Sequence, residues 1–265
     1  MYSPVQLAFK YFNYWWNASN GKGHGVHSPF VFEFITKVLH GEQDHDSYNQ
    51  VESIRKQLLN NRSTIEVEDF GAGSRVIGTR QRVVRQIAKT SLKPKKYGQL
   101  LNRIVKHYHP KTILEIGTSL GITTSYLAKA DANASIITME GAKSIAEIAK
   151  QNFEQLNISN VQQVLGNFDQ TLPTTLSQIN SIDLAFIDGN HRYEPTISYF
   201  QQILARSNNN TIIILDDIYW SKEMEQAWQW VKDHDQVKLT IDLFAIGVVV
   251  LRPEILHKQH FSIRY

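Results

Sequence analysis

The chain has no cysteine among its 265 residues. Disulfides and thiolate metal sites are thereby excluded, and a reducing compartment is compatible with this composition. No apolar run approaches the ~20 residues needed to cross a bilayer, so no membrane span is expected. The opening residues, Met1-Tyr2-Ser3-Pro4, lack the basic-then-apolar layout of a signal peptide, which points to a cytoplasmic protein. Charge of one sign is scarce as well. A net +3 argues against nucleic acid as a partner without excluding it, because no patch is fixed by the number alone. Internal repeats and low-complexity tracts are absent. What is present is ordinary globular composition, 42% hydrophobic and 20% charged, enough for one domain with an extension or two small ones.

The stretch that organises the rest is Thr112-Ile-Leu-Glu-Ile-Gly-Thr-Ser-Leu-Gly121. Ile113, Leu114 and Ile116 form the short apolar run of a strand covered on both faces. Gly117 permits a sharp turn, Gly121 permits close approach of a ligand or helix, and Ile122 to Ala130 has helix composition. A strand, glycine loop and helix in this order bind nucleotides at the carboxyl end of the strand in an open parallel sheet. Two acids set this example apart: Glu115 inside the strand, and Glu140 at the end of Ser135–Glu140. A carboxylate in the second place can accept both hydroxyls of a ribose.

These residues, Leu114 to Gly121 with Glu140 following, resemble the first two motifs of class I S-adenosylmethionine methyltransferases. The resemblance implies that Gly117, Thr118, Ser119 and Gly121 hold the methionine part of S-adenosylmethionine. It also implies that Glu115, Glu140 and Gly141 complete the cofactor site, with Glu140 on the ribose. An NAD-binding domain is the competing reading, but the third glycine of a dinucleotide fingerprint has no counterpart, since Thr124 and Ser125 stand there.

From Lys111 onward strands and helices alternate. Strands are expected at 112–116, 135–139, 161–165, 182–187, 211–215, about 236–241 and 243–251, with the clearest helices at 142–156, 192–205 and 222–232. The pattern is α/β: a doubly wound, mostly parallel, seven-stranded Rossmann-like sheet with a helical N-terminal extension. The closing pair of strands, read as an antiparallel hairpin, is what the methyltransferase family shows. By the same resemblance Asn167 bonds the adenine amino group and Phe168 lies against the ring, although Gly166-Asn167 would also serve a strand-end turn.

The strongest chemical signal pairs Asp188-Gly-Asn-His-Arg-Tyr-Glu194 with Asp216-Asp217. Both clusters end parallel strands expected to be neighbours, so Asp188, Asp216 and Asp217 should converge. Three carboxylates held together need a counter-charge, and all-oxygen ligation suits Mg²⁺, Mn²⁺ or Ca²⁺. The alternative makes Asp217 a helix N-cap and Asp188 a turn residue. The arrangement resembles metal-dependent O-methyltransferases of the catechol and caffeoyl-CoA type, and the broader bacterial methyltransferases bearing Asp-Gly-x-His-x-Tyr. Where the former have an Asp-Asn pair, this chain has Asp216-Asp217. Where the catechol enzymes have a lysine base, it has His191, a group apt for taking a hydroxyl proton, or for capping the following helix. Asp188 is then expected to serve cofactor, metal and catalysis together.

Residues 1–96 fall outside the resemblance and are expected to be a mainly helical extension or substrate lid, with 97–265 the cofactor-binding domain. The aromatic stripe in Val5 to Trp16 suits core or a subunit contact, which allows a homodimer, with a lid or membrane-surface helix as alternatives. His24 and His27 stand in a glycine loop and could act as metal or acid-base groups. Asp69-Phe-Gly-Ala-Gly-Ser74 looks like a glycine motif but lacks a buried strand before it, so it is read as a loop over the site, using Asp69 or Arg75 on substrate. The basic run Arg80 to Lys96 is either a solvated face or a surface for an anionic substrate or RNA. The expected function is S-adenosylmethionine-dependent, divalent-metal-assisted O-methylation of a small-molecule or sugar-like hydroxyl. A metal-free N-methyltransferase on RNA or protein is the alternative, and a non-catalytic cofactor-binding or assembly module is the third reading.

Overall fold

The computed structural model describes every residue except 20, 24, 25 and 70–77, and for 68, 69 and 78–80 the backbone alone. The chain forms two compact units, residues 41–172 and residues 1–40 with 173–265. The expected boundary at 96 falls inside the contiguous unit.

That unit begins with helix α3 (His45–Asn60), after α1 and α2 of the other unit. Strands β1 (Thr64–Asp69) and β2 (Gly78–Val83) then pair antiparallel, with Thr64 opposite Val83. Helices α4 (Val84–Ser91) and α5 (Lys95–Tyr108) lead to β3 (Thr112–Ile116), α6 (Ile122–Ala130), β4 (Ser135–Glu140), α7 (Lys143–Gln155) and β5 (Val161–Leu165). Strands β3, β4 and β5 are parallel, in that order. Ile113, Leu114 and Ile116 are completely buried, as a strand covered on both faces requires. Helix α5 packs on α6 where Gly98 meets Tyr126: a Cβ there would lie 2.4 Å from the ring. The extension is therefore not purely helical. Its hairpin carries the alternating Thr64-Ile-Glu-Val-Glu68, a half-exposed pattern with Val67 turned inward.

The other unit contains α1 (Pro4–Asn17), α2 (Pro29–Glu33) and a π-helical turn at Phe34–Leu39. It continues after helix α8 (Phe168–Ser177), which begins in the contiguous unit, with β6 (Ile182–Ile187), α9 (Tyr193–Leu204), β7 (Ser207–Asp216), α10 (Lys222–Asp233), β8 (Leu239–Asp242), β9 (Ile246–Val250) and β10 (Gln259–Ser262). Its strand order is β10-β8-β9-β7-β6. β6 and β7 are parallel, β9 runs antiparallel to both β7 and β8, and β10 joins β8 in parallel. The closing hairpin expected from sequence is thus present.

Beside the β1–β2 hairpin the described residues form eight strands rather than the expected seven, five in one unit and three in the other. The additional strand, β10, is short, edge-placed and only partly buried. It carries no apolar run for periodicity to detect. Helix α1 is fixed at both ends. Ser3 and Gln6 form a capping box, Tyr14 donates to the Ile263 carbonyl, and Ser19 bridges Ile263. Between them, Tyr2 and Lys10 both hydrogen-bond Glu225 of α10. Among the described residues, no helix is long and apolar enough to cross a membrane.

Candidate active site

The glycine loop lies in the contiguous unit. Gly117 has φ +103°, a value its Cβ-free backbone tolerates, and the Gly117 and Thr118 amides both donate to the Met139 carbonyl at 3.0 and 2.9 Å. The loop therefore turns back over the end of β4. Ser119, at φ +47°, points its amide at Glu140 Oε2 at 2.8 Å, while Ala142 N donates to Oε1 at 2.9 Å. Gly141 N supports the same carboxylate, and burial nonetheless raises the pKa of Glu140. Glu140 thus ties loop, strand end and the approach to α7 together, and a carboxylate has further lone pairs for ribose hydroxyls. Gly121, at φ +78°, is closed by a helix: a Cβ would meet Phe153 at 2.7 Å. Of the two uses read from sequence, close helix approach is the one the structure displays.

Glu115 sits beneath this loop rather than at its mouth. Its carboxylate is fully buried and accepts from Thr124 Oγ1 at 2.5 Å and Thr138 Oγ1 at 2.6 Å. Thr138 also meets Thr118 Oγ1 at 2.6 Å, so a buried relay runs from the loop through β4 to the first turn of α6. Burial pushes the Glu115 carboxyl up to about 7, aided by the charge of Glu140 and opposed by the two threonine hydroxyls. Its other oxygen, Oε1, has no hydrogen-bond partner among the described residues. Through Thr138 and Thr118 this carboxylate is linked to the glycine loop. Sequence reasoning missed Thr124 and Thr138, whose only signal was hydroxyls near a buried acid.

Asn167 caps α8: its Oδ1 accepts from Asp169 N at 2.9 Å and its carbonyl from Gln170 N and Thr171 N. This is the strand-end turn weighed at the outset, and the side-chain amide Nδ2 takes no part in it. Phe168 follows, half-buried. Ser119 Oγ donates to Ser91 Oγ of α4 at 3.0 Å, a contact the sequence did not indicate. His24 and the 70–77 segment, with most of the Asp69–Ser74 motif and Arg75, lie outside the described residues.

The acidic set lies in the other unit. Ile187 pairs with Leu215, so Asp188 and Asp216 each directly follow matched positions on neighbouring parallel strands. Asp216 is 1% exposed and Asp217 adopts φ +52°, with its amide on the Ala245 carbonyl and its own carbonyl accepting from Trp220 N. Asp217 is not the cap of α10; Ser221 is, accepting from Met224 N at 3.2 Å. Nor does His191 cap α9, whose N-cap is Arg192. Instead His191 Nε2 stands 3.5 Å from Asp188 Oδ1. Asn190 and His191 both hold positive φ, +69° and +35°, and the turn is fastened by Asn190 to Tyr199 and by Arg192 to Asn190. Consecutive non-glycine residues in this region store strain, which clusters at functional loops.

A cation on these carboxylates requires them to gather. Among the described residues no group of three or more His, Asp or Glu side chains comes close enough to hold a metal ion. Asp188, Asp216 and Asp217 therefore do not form a prepared three-carboxylate site, and the sequence expectation of convergence is met by strand register alone. Asp217 follows Asp216 with a left-handed backbone that leads the chain into the 217–220 turn.

Residues 114–218 match the family described as methyltransferase domain. The chain is 31% identical over 124 residues to a catechol O-methyltransferase of Niastella koreensis, covering 46% of this chain and 55% of that protein. It thus spans little more than half the length of the curated relatives it matches. A cofactor-bound protein from MTB shares the fold with TM-score 0.58 at 19% identity, over 84% of this chain and 97% of the other. An O-methyltransferase of Bacillus cereus in complex with SAH gives TM-score 0.54 at 19% identity, over 83% and 97%. Residues 114–218 are thus similar to a methyltransferase domain, in a chain that shares the fold of these structures.

Proposed function

We propose that the chain is an S-adenosylmethionine-dependent O-methyltransferase acting on a small-molecule hydroxyl. The observation that carries it is the grip of Glu140 on the Ser119 and Ala142 amides within the matched segment, which builds a ribose-ready carboxylate beside a glycine loop. S-adenosylmethionine, when bound, supplies an activated methyl group on its sulfonium sulfur. Gly117, Thr118 and Ser119 would hold its methionine part, Glu140 its ribose and Asn167 with Phe168 its adenine. Glu115 keeps the loop in shape through Thr118 and Thr138. His191, oriented by Asp188, takes the acceptor's hydroxyl proton, and alignment of acceptor and donor supplies much of the rate.

A divalent cation on Asp188, Asp216 and Asp217 is the finer form of this reading. The three do not gather among the described residues, and the roles of His191 and the glycine loop stand without it. The reading also includes a cytoplasmic setting and a role for residues 1–96 in choosing the acceptor. Calorimetric titration of S-adenosylhomocysteine, followed by turnover on a library of catechols and other hydroxyl acceptors with Mg²⁺ or EDTA, tests all parts. Absence of cofactor binding would end the reading, and turnover restored by Mg²⁺ after EDTA would add the cation to it.

We further propose that the exposed face of α1 pairs with a second copy of the chain. Val5, Phe9, Phe12 and Trp16 are 60–79% exposed and recur at spacings of four, three and four, the seam of a helix-to-helix contact. The helix's one basic residue, Lys10, is taken by Glu225, so the stripe is uncharged and can face a copy of itself without repulsion. The same lack of basic residues disfavours an anionic membrane as its occupant.

A further inference from the structure

The sequence singled out Gly21 to Pro29, and methyl transfer makes no use of it. His27, Ser28 and Pro29 from this segment, with the adjacent Phe30, line a crevice of about 430 Å³ together with Arg252, His257 and Gln259. All lie in the unit that contains both chain ends. The volume is in the range of small-ligand sites. A second crevice of about 350 Å³ shares Arg252 and opens toward Ser207 and Asn208 at the start of β7.

Among the described residues the lining carries one arginine, two histidines and one acid, Glu254, whose Oε1 is 3.8 Å from Arg252 Nη1. That separation is too long for a hydrogen bond. Arg252 Nε is buried and has no hydrogen-bond partner among the described residues. A charged donor left so costs stability unless something else accepts from it. The guanidinium stands 5.8 Å from the centre of the Phe30 ring, which supplies an apolar wall beside the charge.

Its location separates it from the acidic set. Leu251 N bonds the Thr211 carbonyl and Val250 pairs with Ile212, whereas Ile246 pairs with Asp216. Arg252 therefore stands at the amino end of β7, with about 13 Å of strand between Ile212 and Asp216 at the rise of a β-strand. A ligand here is not the group being methylated at the carboxyl ends of the strands.

We infer that this crevice binds a second small molecule, an anion with a flat apolar body, whose carboxylate or phosphate accepts from Arg252 and whose body rests on Phe30. The inference stands whether or not the chain transfers methyl groups.

The test titrates benzoate and phenyl phosphate into the full-length protein, following the ring resonances of His27 and His257 by NMR and the affinity by calorimetry. Either probe binding with shifts in both histidines supports the site, and the tighter probe identifies the anion. Arg252→Gln is expected to weaken binding about tenfold or more, the value of one charge-assisted contact, while S-adenosylhomocysteine affinity stays the same as in the unaltered protein. No binding by either probe, or equal binding by Arg252→Gln, overturns the proposal. Should that variant fail to fold, His257→Asn takes its place: a severalfold loss supports the site and unchanged affinity overturns it.

Discussion

His191 Nε2 lies 3.5 Å from Asp188 Oδ1, and the two reach each other across a turn whose middle residue, Asn190, is also at positive φ. On the proposed reading the pair is a base with its orienting acid. Replacing His191 with asparagine should lower turnover by about 10²–10⁴, the span of general base catalysis. Binding of S-adenosylhomocysteine should be retained. Single-turnover kinetics would check this, and full activity in His191→Asn would move the base elsewhere.

Glu140 accepts from Ser119 N and Ala142 N while standing at the end of β4. Glu140→Ala removes a charged acceptor from the loop and, on the proposed reading, from the ribose. Cofactor affinity should fall about 10- to 100-fold, the worth of one charge-assisted hydrogen bond of roughly 1.5–3 kcal/mol. Calorimetry with S-adenosylhomocysteine reads this directly, and an unchanged dissociation constant would remove Glu140 from the site.

Glu115 is protonated in the folded chain up to about pH 7, against a usual value of 4.5. Between those values the folded state binds a proton that the unfolded state has lost. Stability from this group is therefore full below pH 4.5 and is lost as pH rises toward 7. Glu115→Gln mimics the protonated form and should flatten that slope in urea unfolding measured at pH 5 and pH 8. A slope identical to that of the unaltered chain would show that other groups produce it.

Phe12 and Trp16 stand on the uncharged stripe of α1. Phe12→Glu places like charges opposite each other in a two-fold contact. Sedimentation should show a dimer for the unaltered chain and a monomer for the variant, with secondary structure preserved. A monomer in both would leave the stripe to another partner.

Much of this was legible in the residues. The run at 112–121 announced strand, turn and helix because apolar burial, glycine freedom and helix composition change over within ten positions. β6 and β7 were readable for the same reason, and their shared register put Asp188 and Asp216 at matched strand ends. Asp217 was not, since nothing in an Asp-Asp pair says which residue will turn left-handed. Glu115 was assigned to the cofactor because an acid in that motif suggests a ligand. Its burial between Thr124 and Thr138 depends on which face of β3 it occupies, and a continuously apolar strand does not show that. β10 escaped because a short, partly polar edge strand leaves no periodic trace, whereas the alternation at Thr64–Glu68 was there to see but did not look like a buried strand.

The unit holding both chain ends closes on itself only when Tyr14 meets the Ile263 carbonyl and Ser19 meets Ile263. A ribosome releases Ile263 249 residues after Tyr14. The first forty residues, aromatic stripe included, must wait for the last strand, while 41–172 can fold as they emerge. During that interval α1 lacks the contacts to Ile263 that fix its carboxyl end.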